Sequence, residues 1–262
     1  MKFFIAIITA AVLTLAGLSV AAEKQQPFYP GEKLVFDLKW TIIKAGEATL
    51  EVLPVETVNG VKAYHFVMTA KSLPFLDVFY KIRDQIDAYI DTEITHSILY
   101  KKKQHEGSTR RDEELIFDWE KKEVQYSNFG EKKDPLPLSP GAFDPLSAFY
   151  YTRFFDLKEG MVIERPVTDG KKCVIGKASV KKREQIKVSG KTYDAFLIEP
   201  ELKHIGGVFE KSKDAKIKLW VSADHRRIPL RIESKVIVGS FVAELISAEG
   251  IKRKDNKTAD TN

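Results

Sequence analysis

The chain has 262 residues and carries 42 basic and 37 acidic side chains, which give a formal net charge of +5. These charges are mixed along the sequence and do not form the basic, aromatic-interleaved surface that nucleic-acid binding requires, so we exclude that class of partner. Cys173 is the only cysteine, which excludes an intramolecular disulfide. We interpret it as a buried apolar side chain, with a reactive thiol or an intermolecular disulfide as the alternative.

The N-terminal residues 1–22 have the pattern of a secretory signal peptide. Lys2 is the only charge before Glu23, and the residues between them are apolar or small. We predict cleavage after Ala21 or Ala22, with Ala22 slightly favoured, and no lipid attachment, because no cysteine lies near the junction. The alternative is an uncleaved anchor, since the apolar run is nearly long enough to cross a hydrocarbon core of ~30 Å. The sequence therefore predicts export to the periplasm and no transmembrane segment in the mature chain.

The rest of the chain alternates apolar and polar side chains, which is the period of a strand with one buried face. In KLVFDLKW, for example, Leu34, Phe36 and Leu38 fall on one side. Such stretches recur at a spacing of roughly 8–12 residues and are separated by turn sequences such as VNG, TDG and VSGK. This predicts a mainly β domain at 23–250, a single curved antiparallel sheet or incomplete β-barrel of about a dozen strands. The polar residues 251–262 are predicted to be a disordered tail.

One stretch in the middle of the chain breaks the alternation and predicts an inserted helix at 145–157. Asp144 can cap the helix, Pro145 suits its first position, and Gly160 follows its end. Side chains recur at helical spacing at Leu146, Phe149, Tyr150, Arg153, Phe154 and Leu157. We expect this helix to pack against the concave side of the sheet.

The predicted helix carries five aromatic rings within seven residues, more than a single buried stripe can hold. One interpretation is a plug that completes the core at the open end of the sheet. The other is a helix that lines or covers an apolar ligand cavity. Under the second interpretation, the candidate ligand-binding residues are Phe149, Tyr150, Phe154 and Trp220.

Side chains suited to catalysis or metal binding are not grouped as such sites require. No two of the five histidines lie within five residues of each other, and there is no cysteine pair. Asp224, His225, Arg226 and Arg227 are adjacent, but they lie between two stretches with strand alternation, so we interpret them as a hairpin corner. Pro229 predicts a sheet edge or a bulge just beyond. We therefore predict no catalytic residue, metal or cofactor.

Three stretches carry a resemblance to a known family. They are YPGEKLVFDLKWTIIKAGEATLEV at 29–52, FDPLSAFYYTRFF at 143–155 and IKLWVSADHRRIPLRIESKVIVGSFVAEL at 217–245. In the same order, and over nearly the whole mature chain, they resemble the bacterial exported family called domain of unknown function 3108. The resemblance implies an envelope protein of mainly β structure without an established activity, and it supplies no catalytic residues.

These expectations favour a non-enzymatic periplasmic protein that binds or carries an apolar or lipid-like ligand. The predicted export, the curved β-sheet and the aromatic internal helix together favour an apolar binding pocket. The predicted outline is similar to periplasmic lipoprotein carriers, in which an open barrel and a helical lid hold acyl chains, although a shared fold does not fix function. Two alternatives stay open. One is an envelope scaffold that pairs through exposed strand edges, and the other is a hydrolase of envelope substrates that uses the 224–227 residues with Asp144.

Overall fold

The structure is a computed structural model that describes residues 26–201, 216–236 and 239–251. The predicted signal peptide and residues 252–262 of the predicted disordered tail lie outside the described residues. The proposed extent of the domain, 23–250, stays a prediction.

The alternating stretches form strands of one open antiparallel sheet, which confirms the predicted fold class. The described strands are β1 (Lys33–Trp40), β2 (Ile43–Val58), β3 (Val61–Ser72), β4 (Arg83–Asp91), β5 (Ser97–Glu106), β6 (Thr109–Asp118), β7 (Glu123–Asn128), β8 (Glu131–Lys132), β9 (Leu136–Pro137), β10 (Val162–Thr168), β11 (Cys173–Val188), β12 (Lys191–Pro200), β13 (Lys216–Ser222), β14 (Pro229–Val236) and β15 (Gly239–Glu249). The 15 described strands exceed the predicted dozen in part because β8 and β9 have only two residues each.

The strand order across the sheet is β10-β11-β12-β13-β14-β15-β1-β2-β3-β4-β5-β6-β7-β8, with β9 beside β7. Strands that follow each other in sequence are thus mostly paired, as short turns dictate. The long-range exception is the pairing of β15 with β1, in which Phe241 lies opposite Trp40 and Leu245 opposite Phe36. This pairing brings the first and last described strands to the middle of the sheet.

Buried side chains form two clusters, and β12 and β13 lie between them. Leu197 of β12 and Trp220 of β13 belong to the larger cluster, whereas their sequence neighbours Ile198 and Leu219 belong to the smaller one. Because successive side chains of a strand point to opposite faces, both faces of these two strands are covered. This arrangement explains the unbroken apolar runs AFLI at 195–198 of β12 and LWV at 219–221 of β13.

The inserted helix exists but is shorter than predicted. α2 spans Pro145–Tyr151, and a 3-10 turn follows at Thr152–Phe154. Phe155 is already extended, with φ −84° and ψ 142°, so the predicted end at 157 is wrong. Leu157 packs in the smaller cluster from this extended segment, and its apparent helical spacing was coincidental.

A buried aspartate fixes the start of α2. Oδ1 of Asp144 accepts hydrogen bonds from the backbone N–H groups of Leu146 and Ser147, both at 2.9 Å. Oδ2 accepts from the hydroxyl groups of Ser147 and Ser97, both at 2.6 Å. Complete burial nevertheless raises the pKa of Asp144, because it disfavours the charged carboxylate. The bond to Ser97 also ties the helix to β5.

A second helix, α1 (Pro74–Tyr80), connects β3 to β4, and none of its residues is buried. Its residues, PFLDVFY, are bulky and mostly apolar and lack strand alternation, so this helix adds to the one inserted helix that the sequence predicted. None of the described helices is long and apolar enough to cross a bilayer.

Candidate ligand-binding cavity

A cavity of about 520 Å³ lies between α2 and the strands β10 to β14. Strand pairing builds its wall from side chains that are far apart in sequence. Ile163 of β10 lies opposite Ala178 of β11, which in turn lies opposite Pro200 of β12. A second row runs from Ile198 through Leu219 and Ile232. Directly opposed residues share a face of the sheet, so these rows form one continuous apolar wall: Ile163, Ala178, Pro200, Ile198, Leu219 and Ile232.

Small residues of β11 leave the space that the cavity occupies. Val174, Gly176 and Ala178 alternate along the lining face of this strand. A Cβ atom added to Gly176 would lie 3.1 Å from Cγ2 of Val167. Since Gly176 also lines the cavity, we expect a larger side chain at this position to take up part of its volume.

The opposite wall is one face of α2, and the aromatic residues of the helix divide between its two sides. Ala148, Phe149 and Thr152 line the cavity. Tyr150 instead faces the larger cluster, where only 1 % of it is exposed and its ring stacks on Phe66 with centroids 3.9 Å apart. The helix therefore combines both predicted roles: one side completes the core and the other lines a cavity.

Of the four candidate ligand-binding residues, Phe149 is the one that lines this cavity. Tyr150 and Phe154 meet on the other side of the helix, where both rings contact Phe28 edge-on at centroid distances of 5.5 and 5.3 Å. Trp220 also packs in the larger cluster, and its indole Nε1 donates to Glu184 at 3.0 Å. The ligand-binding role of all four residues stays a prediction.

Most of the lining was missed by sequence reasoning. The alternation of small and branched residues in β10 and β11 could have indicated which face of these strands lines a cavity. It could not have indicated which surface lies across the cavity from that face. Which faces meet depends on the pairing of β10 to β14, and this pairing cannot be inferred from single strands.

Charged side chains lie among the apolar ones at the border of the cavity. They are Arg165, Asp169, Lys172, Lys177 and Glu201. Asp169 accepts the backbone N–H groups of Lys171 and Lys172 at 2.9 and 3.1 Å, and Lys177 pairs with Glu164 at 2.7 Å. The cavity can thus hold an apolar group while offering charges to a polar one.

The residues of the rival hydrolase hypothesis form a turn between β13 and β14, as predicted for a hairpin corner. Asp224 bonds to Arg226 and accepts from the hydroxyl of Ser222 at 2.8 Å. Burial favours a higher pKa for Asp224, but these hydrogen bonds outweigh it and hold the pKa below its usual range. Arg227 has φ 47° and donates to the carbonyl of Ala223 at 2.6 Å.

Neither Asp224 nor Asp144 lines the cavity under α2. Pro229 pairs with Val221 beside a register shift, in agreement with the predicted bulge. In the part of the chain that the structure describes, no three His, Cys, Asp or Glu side chains are grouped as a metal site would need.

The fold and the site together define a mainly β protein with an open antiparallel sheet and an apolar cavity under α2. Residues 35–246 match the family described as "Protein of unknown function (DUF3108)", so the chain belongs to that family, as the sequence predicted. No curated protein matches the sequence.

The fold is similar to that of a beta-barrel-like protein of domain of unknown function DUF1849 from Brucella abortus. The TM-score is 0.55 at 9% sequence identity, and the match covers 85% of this chain and 98% of that one. An exported protein of YmcC-like fold from Bacteroides fragilis, so described, matches with a TM-score of 0.38 at 8% identity over 85% of this chain and 97% of its own. A protein described as a lipoprotein from Parabacteroides distasonis gives 0.33 at 13% identity, over 87% of this chain and 100% of its own.

Proposed function

We propose that this protein is a periplasmic, non-enzymatic binder or carrier of an apolar or lipid-like ligand, which it holds in the cavity under α2. The observation that carries the proposal is the apolar wall of β10 to β14 facing Ala148 and Phe149 across about 520 Å³. Ligand pockets typically enclose roughly 300–1,000 Å³ with mostly apolar linings and a few placed polar groups. The signal-peptide pattern of residues 1–22 supports the compartment.

The apolar lining supplies enough free energy for useful affinity. Burial of one methylene is worth about 0.8 kcal/mol, so ten methylenes provide about 8 kcal/mol before the costs of association. No bond needs to be made or broken for such a role. The lining consists mainly of aliphatic and aromatic side chains with a few charged ones, which suits retention of an acyl chain rather than chemistry on it.

The test is to purify the protein from a host that exports it, extract it and identify apolar molecules by mass spectrometry, then titrate the stripped protein with an apolar fluorescent probe. Gly176→Leu and Ala148→Trp should fill the cavity from opposite walls and abolish both signals. Ile246→Phe adds apolar volume at an exposed site on β15 and serves as the control. Absence of any bound apolar molecule, with probe binding equal in all variants, would contradict the proposal.

A second candidate function is an envelope interaction module. An exposed apolar cluster is a better candidate for its protein-binding surface than the edges of the sheet are. The cluster comprises Ile42, Ile43, Phe75, Val78 and Phe79, and Ile42 is 88 % exposed. The backbone N–H of Leu73 donates to the carbonyl of Ala45 at 2.9 Å, which places the start of α1 beside the start of β2. The edge of β10, in contrast, is partly occupied by Phe143.

A photo-reactive residue at position 42 should then capture a defined envelope protein in cells. The matched control is Phe129, another large exposed apolar residue, in the turn after β7. Equal capture patterns from positions 42 and 129 would count against this second function.

A further inference from the structure

Arg165 is the one charged residue in the middle of the β10 lining face. It lies between Ile163 and Val167, which line the cavity with it. Its cross-strand partner is Gly176, which has no side chain to cover the guanidinium from the neighbouring strand. The arginine therefore lines the cavity opposite the residue of β11 that has no side chain.

The contacts of Arg165 leave its charge without a counter-ion. The guanidinium carbon lies 4.3 Å from the ring centroid of Phe143 and 4.7 Å from that of Tyr151. Nη2 donates to the backbone carbonyl of Thr95. Nε is buried and has no hydrogen-bond partner. Within the described residues, no ion pair joins Arg165 to a carboxylate, although Asp169 and Glu201 also lie at the border.

Arg153, which is fully buried, has an anionic partner that Arg165 lacks. Arg153 donates to both carboxylate oxygens of Glu32, at 2.6 and 2.9 Å, and to the carbonyl groups of Pro27 and Arg226. A desolvated guanidinium normally needs such a paired anion, since an uncompensated buried charge is costly. Arg165 is only partly buried, with Nε as its buried nitrogen, and it lacks such an anion.

We propose that the ligand is an anionic amphiphile whose carboxylate or phosphate head binds Arg165 while its chain fills the cavity. This inference rests on the proposed function and adds the chemical class of the ligand. Lys172, also at the border, supplements the positive charge, whereas Lys177 is engaged by Glu164. Guanidinium is well suited to such a head group because its planar array of N–H donors matches both anions.

The experiment compares binding of dodecanoate, dodecyl phosphate, dodecanol and inorganic phosphate to the exported, delipidated protein by calorimetric titration. Dodecanoate and dodecyl phosphate should bind about 10- to 100-fold more tightly than dodecanol, the range of a charge-assisted hydrogen bond. Inorganic phosphate alone should not bind detectably, because it lacks the chain. Binding of inorganic phosphate as tight as that of dodecyl phosphate would overturn the proposal in favour of a free-anion site.

Substitutions separate the charge from the packing of Arg165. Arg165→Gln should remove the preference for dodecanoate while changing dodecanol affinity by less than about 2-fold. Arg165→Lys should keep most of the preference and provides the readout if the Gln variant does not fold. Arg110→Gln is the control, because Arg110 likewise donates only to backbone carbonyls but is exposed.

The outcomes distinguish this inference from the function on which it rests. If dodecanol and dodecanoate bind equally and Arg165→Gln changes neither, the anionic head group is wrong and the apolar cavity stands. If none of the chain-bearing probes binds, the proposed function itself fails.

Discussion

At the scale of single residues, the buried ion pair between Arg153 and Glu32 removes two opposite charges from water. Both side chains are almost fully buried, and the guanidinium also lies 5.4 Å from the ring centroid of Phe28. Desolvation of two charges opposes folding, and the four hydrogen bonds of the arginine offset it. The pair joins the segment before β1 to the turn that follows α2, so its loss should loosen both.

Arg153→Met should destabilise the protein by about 3–5 kcal/mol, because it leaves the Glu32 carboxylate buried without a partner. Urea unfolding monitored by circular dichroism measures the change. The double variant Arg153→Met with Glu32→Gln should recover part of the loss, since no buried charge remains. A single substitution that costs less than about 1 kcal/mol would show that the pair is open to water.

The raised pKa of Asp84 should make the stability of the protein depend on pH. Burial raises its pKa from 3.8 to about 6; a hydrogen bond from the backbone N–H of His105 opposes the shift, and Glu106 adds to it. The folded state thus holds this proton more tightly than the unfolded state. The contribution of protonated Asp84 to stability is present below about pH 3.8 and is lost as the pH rises through about 6.

Asp84→Asn should therefore raise the thermal midpoint by about 2 °C at about pH 7.5 and change it little at about pH 4. The amide retains an oxygen acceptor for His105. Asp112→Asn, at an exposed position of β6, is the control and should have the same small effect at both pH values. A stabilisation by Asp84→Asn that does not depend on pH would contradict the argument.

At the scale of elements, α2 illustrates what local sequence can predict. Its start follows from Asp144 and Pro145, whose capping geometry is local and was anticipated. Its end depends on contacts with remote segments: Arg153 is held by Glu32, and Leu157 packs in the smaller cluster. The apolar spacing that suggested a helix to 157 could not reveal these contacts.

Asp144→Ala should cost about 2–4 kcal/mol, more than loss of an ordinary N-cap, because it also leaves the buried hydroxyl groups of Ser97 and Ser147 without their acceptor. Asp144→Asn is the matched variant. It keeps one oxygen for the backbone N–H groups and should cost less than half as much. Equal losses in the two variants by urea unfolding would show that the charge, rather than the hydrogen bonding, matters.

At the scale of the whole molecule, alternation and turn residues predicted the antiparallel sheet. The inserted mid-chain helix was predicted from its capping residues and helical spacing, and the family from the resemblance of three stretches. Alternation and turn residues served for the strands alone. They could not predict that β1 pairs with β15, because the 15 strands admit many orders with the same local pattern. The cavity could not be predicted for the same reason. Ile163, Ala178 and Ile232 line one cavity, but this follows only from the order of strands β10 to β14. Phe149 was identified because the helix has more aromatic side chains than one face can bury.

The central claim is that a ligand chain lies between α2 and the wall of β10 to β14. Labelling with a fatty acid that carries a diazirine at the end of its chain, followed by peptide mapping, tests this claim most directly. We predict that the label attaches to the peptides that contain Phe149 and Gly176, and that unlabelled fatty acid displaces it. Label concentrated on Ile42 and Phe79 of the exposed apolar cluster, or label that unlabelled fatty acid does not displace, would contradict the account.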